Sequence, residues 1–76
     1  MTNRYHINVF WHKPDECWIA DVPALEGCSA HGADAAEAVK EAQIAIEEWV
    51  ASASDHGDPI PEPRYRPAIY AMREAA

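Results

Sequence analysis

Apolar and polar residues alternate at the start of the chain. Tyr5, Ile7, Val9 and Trp11 fall on one face and His6, Asn8, Phe10 and His12 on the other, so Arg4 to Trp11 reads as a strand. Lys13-Pro14-Asp15-Glu16 reads as a turn, because proline presets φ and the aspartate carboxylate bonds locally. Cys17 to Val22 is rich in Trp, Ile and Val and reads as a second strand. The short link makes it the antiparallel hairpin partner of the first. Pro23 to Gly27 is a loop, and Cys28 to His31 is long enough for a short third strand. Gly27 and Gly32 are expected where the chain turns tightly.

Beyond Asp34 the period becomes helical. Ala35, Ala38, Val39, Ala42, Ile46, Trp49, Val50 and Ala53 follow the i, i+3, i+4 spacing of one apolar face. Asp34 is placed to cap this helix, and Glu37 three residues on completes a capping-box-like pattern. The early alanines let the helix sit close to a sheet, and Trp49 fills space at its far end. Gly57 is the expected stop, just before Pro59. Asp58 to Pro63 is an extended proline-rich strap that cannot be helical. The last residues are open to two readings: Tyr65 to Tyr70 as a final strand, or Pro67 opening a short helix. The pattern predicts an α+β fold. A three- to four-stranded antiparallel sheet is covered by one long helix, in the order β-β-β-α, followed by the strap and a short C-terminal strand or helix.

Seventy-six residues allow one small domain, and one this small buries only about 60% of its unfolded surface. Self-association is a natural remedy for that thin margin. The apolar share of 49% argues against disorder. Thirteen acids against six bases give a net charge of -7, which speaks against nonspecific nucleic-acid binding and favours a basic protein partner or simply solubility. The acids concentrate in the helix and strap, while Arg64, Arg66 and Arg73 make the tail basic. No apolar run approaches a membrane span, and Met1 to His6 carries no signal-peptide core. A cytoplasmic protein with reduced Cys17 and Cys28 is expected, with no membrane partner.

Catalytic and metal chemistry find little support. Two-metal nucleases need several converging carboxylates, yet Arg4 to Trp11 contains no acid, and Asp21, Glu37 and Glu41 have no evident meeting point. Cys28-x-x-His31 has ligand-like spacing, but tetrahedral zinc needs four ligands, so Cys28 reads as a small apolar side chain and His31 as a turn or interface residue. No catalytic residue, metal or cofactor is expected. Trp11 and Trp18 either build the core, stack on a base or anchor a partner. If they point inward, Phe10 or Ile19 lies on the exposed face.

Several segments together carry a family resemblance. They are Tyr5 to Val9, Pro14-Asp15-Glu16, and Trp18 to Cys28 with Pro23, Leu25, Gly27 and Cys28 in a V-P-x-L-x-G-C pattern. Ala30-His31-Gly32, the helix start at Glu37-Ala38, and G-x-x-I-P-x-P from Gly57 to Pro63 complete the set, while Ala33-Asp34 stands where the family usually has a small polar or threonine start, a change that Asp34 tolerates as a cap. Over about residues 4–63 the chain resembles the N-terminal domain of HicB-like antitoxins. The resemblance implies a partial ribonuclease-H-like fold and dimers or tetramers. It also implies a role as the antitoxin of a type II toxin–antitoxin pair, masking a small basic HicA-like mRNA-cleaving toxin. In that role the toxin-facing residues would be Glu37, Glu41, Glu47 and Glu48 of the helix with Pro59, Ile60 and Pro61 of the strap. Trp11, Trp18, Ile69 and Tyr70 would form the oligomer interface. Family members often carry a C-terminal DNA-binding domain, for which residues 64–76 leave no room, so no direct DNA binding is expected. The alternatives are an orphan homo-oligomer without a toxin and a minimal ribonuclease-H-like nuclease.

Overall fold

The computed structural model describes residues 4–63. Strands β1 (Asn8–His12) and β2 (Cys17–Asp21) form the expected hairpin, joined by a 3₁₀ turn over Lys13–Asp15 with Pro14 in its first turn. Glu16 closes the turn in the left-handed region at φ 49°, its N–H donating to Lys13 O at 3.1 Å. Strand β3 (Ser29–Gly32) pairs antiparallel with β2, so the sheet order is β1-β2-β3. Helix α1 (Ala35–His56) follows. The α+β architecture is the one expected, with a three-stranded sheet among the described residues. The ambiguity over the C-terminal strand or helix, together with Ile69 and Tyr70, lies outside those residues.

Element limits differ from the expectation chiefly at the first strand. Arg4 to Trp11 was expected, whereas β1 runs from Asn8 to His12. Asn8 faces Asp21, the last residue of β2, so the ladder has no partner further back. Tyr5 and Ile7 still pack against the core.

The helix ends follow their local chemistry. Asp34 is extended, and its side chain accepts from Glu37 N–H at 2.8 Å. Glu37 Oε1 reaches back to Ala33 N–H at 3.1 Å, one residue earlier than in the usual capping box. At the far end Gly57 sits at φ 70°, Gly57 N–H donates to Ser54 O, and Asp58 N–H donates to Ala53 O at 2.8 Å. These are the two bonds of a Schellman motif.

The core contains Ala20, Val22, Leu25, Cys28, Ala38, Ala42 and Ile46. Between β2 and β3 the chain folds back on itself. Leu25 N–H donates to Val22 O, Cys28 N–H to Leu25 O, and Val22 N–H to Cys28 O, which drives Leu25 inward. Leu25 and Val22 are each 1% exposed. Gly27 follows at φ 75°, a conformation that favours glycine. Trp49 of α1 clamps this loop, its indole N–H donating to Glu26 O at 2.9 Å.

The helix lies over β3 and β2 and only grazes β1. Small residues permit the approach: Ala20 and Ala30 on the sheet, Ala38 and Ala42 on the helix. Gly32 is the extreme case, because a methyl group there would stand 2.6 Å from Ala38 N and 2.9 Å from Glu37 Cβ. Its role is therefore to admit the helix, rather than to make the tight turn that was expected.

Pairing register assigns the two faces. Val9, Trp11, Trp18, Ala20, Ala30 and Gly32 share the helix side, and Asn8, Phe10, His12, Cys17, Ile19, Asp21, Ser29 and His31 the other. Both tryptophans thus point to the helix side, with Phe10 and Ile19 opposite. Trp18 packs against the core, while Trp11 is 49% exposed beyond the helix, its ring 5.8 Å from that of Trp18.

Candidate protein-docking groove

Among the described residues β3 is an edge strand, and its edge and the flank of α1 line a groove of about 410 Å³ formed by Ser29, Ala30, His31, Glu37, Glu41, Ile44, Ala45 and Glu48. A hollow of about 320 Å³ shares Ser29, Ala45 and Glu48 with it and continues past Trp49 to Gly27. The glutamates reach this wall because positions 37, 41 and 48 recur at helical spacing, with Ile44 between them. Ile44 is 41% exposed, an apolar residue set in an acidic row.

Of the glutamates singled out in the sequence, the fold brings Glu37, Glu41 and Glu48 into one groove and leaves Glu47 out of it. Glu37 also holds the helix start through Ala33 N–H. Pro59, Ile60 and Pro61 are exposed and line none of the groove. The strap is tied instead to the N-terminal segment, the Tyr5 hydroxyl donating to Pro61 O. Pro23, Leu25, Gly27 and Cys28 make the loop beneath Trp49, and Gly32 and Asp34 set the helix against the sheet. Ser29, Ile44 and Ala45 were not singled out, and Ala30 entered only through the family resemblance. The signal for the strand residues is that β3 is an edge strand among the described residues, and strand order is invisible in a local pattern; Ile44 and Ala45 lie on the flank of α1.

Catalytic geometry does not assemble among the described residues. Asp21 is on the sheet face opposite the helix, whereas Glu37 and Glu41 stand on the helix flank. No group of three His, Cys, Asp or Glu side chains is placed to hold a metal among these residues. Cys28 is 5% exposed and His31 lies on the far face of the sheet edge, so the C-x-x-H spacing brings no pair together. Burial, aided by the nearby negative charge of Asp21, pushes the Cys28 thiol up from its ordinary value of 9.0. A thiol held neutral in this way is a poor nucleophile. No helix among the described residues is long and apolar enough to cross a membrane.

The fold is that of a small α+β domain with a groove beside a strand edge among the described residues. The UPF0150-like family model matches residues 5–61, and the chain belongs to that family. The match begins and ends on Tyr5 and Pro61, the two residues that the strap's hydrogen bond joins. No curated protein and no solved structure matches the chain.

Proposed function

We propose that this protein is a binding module, an antitoxin of the HicB-like kind that covers a small basic mRNA-cleaving toxin. The observation that carries this reading is the one-sided acidic groove. Residues 4–63 hold twelve acids against three bases, and three of those acids line one wall beside exposed Ile44. A basic RNA-cleaving surface is complementary to such a wall. Long-range attraction of this kind raises the association rate more than the final affinity. The chain performs no catalysis in this reading, and it binds by covering.

The test is capture from native cell extract with the tagged full-length chain at low salt, followed by stepwise elution with rising salt. A small basic protein that cleaves mRNA when free and stops when the chain is restored in equal amount is the expected result. Recovery of the chain alone, or of a basic protein whose activity the chain leaves unchanged, overturns the reading.

One observation favours a second reading, a homo-oligomer without a toxin. Val9, Phe10 and Trp11 are 36%, 44% and 49% exposed in consecutive positions of β1. Such a run on a strand that is an edge among the described residues suits pairing with a second copy. Sedimentation of the pure chain at micromolar concentration separates the two: a fixed multimer that Trp11→Ser dissociates supports it, and a monomer removes it.

A further inference from the structure

We propose that the β3–α1 groove holds an extended basic segment of the partner protein, added to the sheet as a strand beside β3. This rests on the covering reading and deepens it, naming the segment's chemistry and its mode of attachment.

The backbone gives the first reason. Val22 N–H bonds to Cys28 O at 3.0 Å just beyond the strand ends, which puts this position in phase with the hydrogen-bonded pairs of the antiparallel ladder although Cys28 N–H itself goes to Leu25 O. Such pairs alternate along a ladder. Ala30 and Gly32 therefore turn their peptide groups toward β2, and Ser29 and His31 turn theirs to the open edge. Both edge residues are exposed, and both line the groove. They offer two N–H donors and two C=O acceptors in the spacing that an added strand requires.

The wall gives the second reason. Glu37 and Glu41 are one i→i+4 step apart, about 6 Å along a helix, and alternate side chains of a strand are about 6.6 Å apart. Lysine or arginine at alternate positions of the segment thus meets the glutamates in step. Glu48 continues the row where the groove runs on toward Trp49, so the site suits a length of chain rather than a compact ligand. Strand β3 is only four residues long, so edge bonds are few and charge supplies much of the selectivity.

The test uses the full-length chain and a capped octapeptide of alternating lysine and threonine, followed by titration and amide hydrogen exchange. The expected result is binding at low salt, with exchange at Ser29 and His31 slowed at least tenfold. Glu41→Lys with Glu48→Lys is expected to weaken binding at least tenfold. His31→Pro removes an outward N–H and leaves the bonds to β2 intact, a position where an edge strand tolerates proline. It is expected to abolish binding while circular dichroism stays unchanged. Should that variant misfold, backbone N-methylation of the peptide makes the same test from the ligand side, with the same expected loss. Equal binding of the glutamate–threonine counterpart, or undiminished binding after N-methylation, overturns the proposal. So does no binding, or prior protection of Ser29 and His31 in the free chain, which puts a second copy or the chain itself on the edge. A failed peptide with a captured, inhibited toxin sinks this groove alone. A bound peptide with no captured toxin sinks the covering reading alone.

Discussion

Among the described residues, the two edges of the three-stranded sheet are built in opposite ways. On the β3 side small residues let α1 descend until Gly32 has no room for a methyl group. On the β1 side Val9, Phe10 and Trp11 carry large apolar surfaces, and the helix barely reaches them. Burial therefore follows the helix rather than hydrophobicity: Ala20, Ala38 and Ala42 are 0% exposed, whereas Trp11 is 49% exposed. The contrast teaches that a small domain gains its core by close approach. Its large side chains are then left over for other surfaces.

The sharpest way to break this contrast is to damage the closed side. Leu25→Ala empties a site that is 1% exposed and is expected to cost about 3 kcal/mol, read as a lower urea midpoint. In a domain of this size that is a large share of the total stability. Gly32→Ala forces the helix start away from the sheet and is expected to cost about 2 kcal/mol by the same measurement. If it proves neutral, close approach is not what holds this side. Asp34→Ala removes the cap to Glu37 N–H, with an expected loss of about 1 kcal/mol and faster amide exchange in the first turn of α1.

Changes on the open side sharpen the comparison by doing little. Phe10→Ser is expected to alter the stability of the dilute chain by less than about 0.5 kcal/mol, since its ring is 44% exposed. A loss comparable to Leu25→Ala would show that the outer face is covered. The smallest effect is electrostatic. Folding raises the Cys28 pKa, so the folded chain holds that proton more tightly than the unfolded one. Stability from this group is fully present below the ordinary thiol value of 9.0 and is lost as pH rises through the higher folded value. Cys28→Ala should remove that part of the alkaline decline in a pH series of melting temperatures.

Much of the architecture was legible because its signals are local. Asp34, Glu37 and Gly57 mark the helix ends through bonds reaching five residues or fewer, and those bonds are present. The hairpin was legible from Pro14 and the flanking β-rich runs. The start of β1 was not, because alternation through Tyr5 and Ile7 says nothing of where a partner strand ends. Gly32 was misjudged for a similar reason: its constraint comes from Ala38 and Glu37 across a helix–sheet contact. Of the candidate site, the helical spacing of Glu37, Glu41 and Glu48 was visible, but their separation from Glu47 and from the strap was not.

Periodicity and capping chemistry set which segments are strands and helix, since both act between near neighbours in the chain. They could not say which sheet face receives the helix, which strands lie at the edges among the described residues, or that the edge at Ser29 and His31 shares a groove with Glu37, Glu41 and Glu48 of α1. Those facts arise from contacts between distant segments, where small residues at Ala20, Gly32, Ala38 and Ala42 allow one closest packing. Only the folded chain brings an open peptide edge and an acidic wall to the same groove.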